Sequence, residues 1–405
     1  CRRSSQGQHE LVVAARPLPL VMDLSWGSHF SPHREPTRQV SDIFAKMDDR
    51  YREPWAETWR RRAVTIPLFY LVGTLLIALA PVILLLCLVA ALFEKRRLAK
   101  LRFMSFLGGY FAGEMLFLLL AALQWLLLAG WTKAGRARLS RATEGLANAW
   151  GLVLYSLGRL SFDLTLSIEG LDSLKQPGPL IVLLRHASLG DTPLGPTYLG
   201  HYFGFRLRYV VKRELINDPV FDVIGTRLGS CFVRRGSKNG GREVEAVCAQ
   251  LSQMSPRDAI ILYPEGTRYS EDKRLKVLEK LRRDNPAIHA KAAQLHHVLP
   301  PQLGGPVELL CRNPSADVVI CQHVGYEVAS SFRDLVDGRA VHQRIEVLFR
   351  RIPYAELPKE REAITMWLLD EWKKLDDWVA ERKPRVIVPS APDLSSIALS
   401  PEAKP

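Results

Sequence analysis

The sequence predicts an α/β domain with a mostly parallel central sheet flanked by helices, preceded by an N-terminal membrane helical hairpin. Three observations carry that prediction. From residue 161 onward, short strand-like apolar runs alternate with helical stretches, the pattern of βα units. Upstream, two apolar runs at 63–93 and 103–131 each exceed the roughly 20 residues needed to cross a bilayer. Third, His186 and Asp191 stand just past the apolar run 180–184, where Gly190 and Pro193 break regular structure.

In order, residues 1–60 are poorly periodic and scattered with Pro17, Pro19, Pro32 and Pro36, so coil with one short helix at 40–46 is expected. The hairpin takes 61–141. Its first run carries no charge, and Pro81 in mid-run is expected to kink it or turn it back. Its second run carries Glu114 alone, which belongs on a partner helix or in the protein interior because lipid exposure is costly. All three flanks are basic, with Arg60, Arg61 and Arg62 before, Lys95 to Arg102 between, and Lys133 to Arg141 after, so the positive-inside rule does not orient the pair. Two arrangements fit: a hairpin embedded from one face with Pro81 as its bend, or two ordinary crossings.

The α/β domain spans 142–358. It opens with an amphipathic helix over 142–160. Strands are expected near 162–169, 180–184, 207–211, 230–233, 259–263 and 317–324, with helices at 242–254 and 273–281, and the alternation ends near 352. Residues 359–382, with Trp367, Trp372 and Trp378, form one amphipathic helix, and the proline-rich tail 383–405 reads as disordered.

The chain of 405 residues carries 55 Lys and Arg against 42 Asp and Glu, a formal net charge of +13. That balance suits an anionic partner. No nucleic-acid motif accompanies it, and the apolar runs point to a phospholipid membrane. The six cysteines form no C-x-x-C pair and sit at no zinc spacing with histidine, so they read as reduced thiols, consistent with a catalytic domain on the cytosolic face. No metal site and no Gly-rich nucleotide loop is found.

Four stretches carry chemistry: H-A-S-L-G-D at 186–191, V-K-R-E-L at 211–215 continuing to F-V-R-R at 232–235, Y-P-E-G-T-R at 263–268, and H-H-V-L-P-P at 296–301. His186 is the candidate general base, with Asp191 holding its tautomer. Gly266 allows a sharp turn, Arg268 offers a planar fork for phosphate, and Thr267 adds a hydroxyl. Glu265 is expected to anchor Arg268 or another cation, and Lys212, Arg234 and Arg235 to add positive charge. His296 and His297 read as structural.

In this order and spacing, over roughly 160–325, the stretches resemble the glycerolipid acyltransferases of the lysophosphatidic acid acyltransferase type, nearer the eukaryotic-type lysophospholipid enzymes. That family commonly has Asn before the histidine, where this chain has Arg185. The resemblance implies a membrane-bound transferase of phospholipid biosynthesis. It moves a fatty acyl group from an acyl-CoA or acyl carrier protein thioester to a lysophospholipid hydroxyl, most simply 1-acyl-sn-glycerol 3-phosphate, giving phosphatidate. It also implies that 263–268 binds the acceptor's phosphate, and that no metal or redox cofactor is needed. Other lysolipids, such as lysocardiolipin or lysophosphatidylinositol, are alternative acceptors. A non-catalytic lipid-binding module on the same fold is the reading from a different class.

Overall fold

The computed structural model describes residues 53–93, 98–233, 240–251 and 254–386. The expected helix at 40–46, Arg234, Arg235 and the tail from 387 lie outside them.

Seven strands form one sheet: β1 (Thr165–Glu169), β2 (Leu180–Leu184), β3 (Arg206–Lys212), β4 (Cys231–Val233), β5 (Asp258–Leu262), β6 (Asp317–Val324) and β7 (Arg344–Ile352). Their order is β1-β7-β6-β2-β5-β3-β4. The five from β6 to β4 run parallel; β7 is antiparallel to β6 and parallel to β1. The mostly parallel sheet is therefore present, with β7 added to the expected strands. β2 is central and all five of its residues are buried, as a strand covered on both faces requires. Whatever follows β2 emerges at the middle of the sheet's carboxyl edge, where open α/β sheets place their ligands.

Each face of the sheet has its own core. On one face Ile181, Leu183, Ile260 and Ile320 pack against Leu368, Trp372 and Leu375 of the C-terminal helix, which spans Arg361–Val386. Trp372 is fully buried, so this helix is a wall of the domain and not an appended segment. On the other face Leu180, Val182, Leu184 and Ile261 meet Tyr198, Leu199 and Phe205, with Tyr155 packed alongside.

Tyr155 belongs to the third of three long helices: α1 (Trp55–Ala91), α2 (Ala99–Leu127) and α3 (Lys133–Phe162). α3 starts nine residues before the expected 142, because the Thr132 side chain accepts a hydrogen bond from the Gly135 amide and caps it at Lys133. α1 runs unbroken through Pro67 and Pro81. The expected turn at Pro81 is thus corrected: the chain reverses only after Ala91. Hydrogen bonding inside an otherwise regular apolar helix tolerates an isolated proline.

α2 lies along the domain. Near its start Phe103 packs with Phe162 and Ala340. Near its end Phe117, Leu118 and Ala121 pack with Leu146 of α3 and with Val220, Val223 and Ile224. Glu114 is buried and accepts a hydrogen bond from the Trp150 indole at 2.6 Å. α1 packs over α2, while Leu68, Leu71, Leu75, Leu85 and Leu86 stay exposed. At its start Arg62 forks onto the buried carboxylate of Asp222 at 2.9 Å.

Candidate active site

The segment after β2 folds into a single tight turn. The Ser188 hydroxyl accepts from the Gly190 amide at 2.9 Å, and one carboxylate oxygen of Asp191 accepts from the amides of Ala187 and Ser188 at 2.7 and 2.9 Å. The other oxygen of Asp191 lies 3.0 Å from Nδ1 of His186. Asp191 is fully buried, while the His186 side chain remains 21% exposed. Burial works to raise the Asp191 carboxyl, but the His186 ring, His323 and the Ser188 amide outweigh it and hold it below the ordinary carboxylate range. An ionised Asp191 accepts a hydrogen bond from Nδ1–H, which leaves Nε2 as the basic nitrogen of the ring.

Beneath the ring runs the loop from β5. The Tyr263 ring sits 4.7 Å from the imidazole, and the Tyr269 amide donates to the His186 carbonyl at 3.3 Å. Gly266 makes the turn between them with φ of +71°, a conformation open to glycine. Its amide donates back to the Tyr263 carbonyl at 2.9 Å.

Glu265 points inward and not toward a ligand, so its assignment to the phosphate contacts is corrected. It is 1% exposed. Its two oxygens accept from the amides of His186 and Leu299, both at 3.1 Å. Nor does it anchor Arg268, whose guanidinium donates to the Ser330 carbonyl at 2.8 Å. Burial pushes the Glu265 carboxyl up to about 7, with Arg185 and the two amides opposing. Glu265 is a clamp between the histidine loop and the loop at 299.

Arg185 is the second clamp. Fully buried, it donates to the carbonyls of His323 and His297 and pairs with Glu327 at 2.9 Å. It thus joins the ends of β2 and β6 to the segment before Pro300. That segment is held from below: the amides of His296, His297 and Val298 all donate to Asp376 of the C-terminal helix. The contacts of His296 and His297 here are made by their backbone amides, which tie this segment to the C-terminal helix.

Thr267 and Arg268 are half-buried at the mouth. Lys212, at the end of β3, shares a strand face with Val210, which packs on the core of the C-terminal helix, while Tyr263 and the imidazole belong to the opposite side. Arg268 directly precedes Tyr269, whose amide bonds the His186 carbonyl. Among the described residues no group of His, Cys, Asp and Glu is arranged to hold a metal ion.

Sequence reasoning missed Glu327, His323, Asp376 and Lys273. A signal existed for one of them. A buried cation at the end of an apolar central strand demands a counter-charge, and Glu327, three residues past β6, is that partner. His323 lies on β6 with Nε2 3.0 Å from the Arg185 carbonyl and 3.6 Å from Asp191.

Residues 165–296 match the family model described as Acyltransferase. Over 162 residues the chain is 25% identical to lysophosphatidylinositol acyltransferase 10 of Caenorhabditis elegans. That match covers 38% of this chain and 40% of the relative, so the chain spans well under two thirds of the relative's length. The structure is also similar to the crystal structure of the 1-acyl-sn-glycerophosphate acyltransferase PlsC from Thermotoga maritima. That likeness covers 66% of this chain and 95% of that one, at 14% identity and a TM-score of 0.44.

Proposed function

We propose that this chain, whose residues 165–296 match the family model described as Acyltransferase, transfers a fatty acyl group from an acyl-CoA or acyl carrier protein thioester to the free hydroxyl of a lysophospholipid. The simplest acceptor is 1-acyl-sn-glycerol 3-phosphate, with phosphatidate as product. The observation that carries this is the 3.0 Å contact between His186 Nδ1 and a buried Asp191, set at the middle of the sheet's carboxyl edge with the imidazole open to solvent.

The chemistry follows from that geometry. His186 Nε2 takes the proton from the acceptor hydroxyl as its oxygen bonds to the thioester carbonyl carbon. Asp191 stabilises the imidazolium that forms. The tetrahedral adduct collapses, the carbon–sulfur bond breaks, and the leaving thiolate takes the proton from His186 to depart as a free thiol. No acyl-enzyme forms, and the step needs neither metal nor redox group. Arg268 and Thr267 grip the acceptor's phosphate. A phosphodiester acceptor is the second reading, favoured by the likeness to the lysophosphatidylinositol acyltransferase of Caenorhabditis elegans.

The membrane partner is reached by α1 and α2, both long and apolar enough to cross a bilayer. Contacts with the domain at Phe103 and again at Ala121, about 27 Å apart along the helix, support a hairpin lying flat in one leaflet; its placement on the cytosolic face rests on the reduced cysteines.

The test is transfer of labelled acyl groups from acyl-CoA and acyl carrier protein to a lysolipid panel, with the full chain in micelles. His186→Ala is expected to lower the rate by about a hundredfold to ten-thousandfold, the worth of a general base, with unchanged thermal unfolding. Near-normal transfer by that variant removes His186 as the base.

A further inference from the structure

We propose that Lys273, outside every motif of the sequence, is a headgroup-binding residue that pairs with Arg268 to form a seat for the acceptor's phosphate. The proposal rests on the acyltransferase reading and deepens it.

Lys273 opens the helix Glu271–Asp284, which follows the loop beneath His186. Its ammonium folds back over that loop, donating to the Arg268 carbonyl at 2.9 Å and to the Thr267 hydroxyl at 3.3 Å. The ammonium thus bridges the Arg268 backbone and the Thr267 hydroxyl, one residue from the amide that bonds the His186 carbonyl. Among the described residues neither head group meets a carboxylate. Arg274, next along the same helix, shows the ordinary alternative: it forks onto Glu271 at 2.7 to 3.1 Å. Two like charges held together without a counter-ion repel, and burial together with Arg268 lowers the Lys273 ammonium below its usual range. A bound anion removes both penalties. The hydroxyl and phosphate of a glycerol phosphate lie within a few bonds of each other, which fits an imidazole and a cation pair joined through one backbone contact.

Two cations suit a phosphate monoester, doubly charged above about pH 6, better than a phosphodiester, which carries one charge at any neutral pH. Lys273 is thus assigned to headgroup discrimination.

Three proteins are compared: wild type, Lys273→Met, which keeps the length without the charge, and Lys273→Arg. Two measurements are made with each. One is the kcat and KM for lysophosphatidate and for lysophosphatidylglycerol of the same acyl chain. The other is binding of sn-glycerol 3-phosphate in the absence of any acyl donor. Wild type is expected to favour the monoester. Lys273→Met raises its KM about tenfold, the loss of one charge-assisted contact. It leaves kcat and the diester KM within about twofold and weakens glycerol 3-phosphate binding to match, and Lys273→Arg restores both. Equal KM rises on both acceptors, unchanged binding in Lys273→Met, or a wild type preferring the diester overturns the assignment. A wild type inert toward every acceptor but binding glycerol 3-phosphate through Lys273 overturns the acyltransferase reading alone.

Discussion

The two sides of His186 are built on opposite terms. On the inner side Asp191, Glu265 and Arg185 are almost wholly buried, and their charges are spent on backbone amides and carbonyls. On the outer side Thr267, Arg268 and Lys273 are half-buried, and the two cations face no carboxylate among the described residues. A reacting group must be held within tenths of an ångström, and burial with full hydrogen bonding supplies that rigidity. A charged headgroup must enter and leave, so its counter-charges are left unneutralised and wet. The difference separates residues that fix the imidazole from residues that await a ligand, and each variant below tests one side of that division.

The largest effect is expected from Arg185→Met. Burial acts to raise the Glu327 carboxyl, but Arg185 outweighs it and holds it below the ordinary range. Removing the guanidinium leaves that carboxylate, 16% exposed and bonded otherwise to the Gly325 amide, without its counter-charge, at a cost of about 3 kcal/mol. Chemical denaturation in detergent reads this directly, and Arg185→Met with Glu327→Gln is expected to recover most of the loss. A single variant as stable as wild type means that the pair is not a strut.

Glu265→Gln comes next. One of the two oxygens becomes an NH2 group facing a backbone amide, a loss of about 1–3 kcal/mol. The pH dependence carries a sign. The Glu265 carboxyl is raised from 4.5 to about 7 in the folded chain. A raised acid stabilises the fold below its unfolded value, and that contribution is lost as pH rises through about 7. Wild-type stability measured against Glu265→Gln should therefore fall between pH 4.5 and 7. Asp191, lowered, acts in the reverse sense and only below its ordinary value, so the two windows stay apart. Equal slopes in wild type and variant remove Glu265 as the titrating group.

Parts of this architecture are legible in the sequence for a physical reason. β2 and β6 fall on the expected residues because both of their faces are buried, which leaves uninterrupted apolar runs. β7 escapes because Arg344, Glu346, Arg350 and Arg351 interrupt its apolar residues on a half-covered strand. The helix Arg361–Val386 reads as amphipathic, yet nothing in its periodicity says that Trp372 closes the core of a sheet formed far upstream. In the site, His186 and Asp191 are legible because a single local turn unites them. Glu265 is not, since its partner amide at Leu299 lies 34 residues away and only the tertiary fold brings it there. Lys273 sits in a run of charges that looks like a solvated helix face, and only the fold turns it back over Arg268.

The smallest effect tests whether position or charge count matters at the outer side. Arg268→Ala and Arg282→Ala each remove one cation and lower the net charge equally. Arg282 belongs to the same helix as Lys273, but it is exposed and pairs with Glu279 at 3.1 Å. Exposed pairs of this kind contribute little and are screened by salt. If the positive field of the chain as a whole drew the acceptor in, the two variants would weaken it alike. If the seat beside His186 does so, Arg268→Ala raises the acceptor KM about tenfold, as one charge-assisted phosphate contact is lost, while Arg282→Ala leaves it unmoved. Repeating both in high salt sharpens the separation, because screening erases a long-range field and spares a half-buried contact. Equal KM values in the two variants would mean that the outer side is an electrostatic funnel and not a binding site.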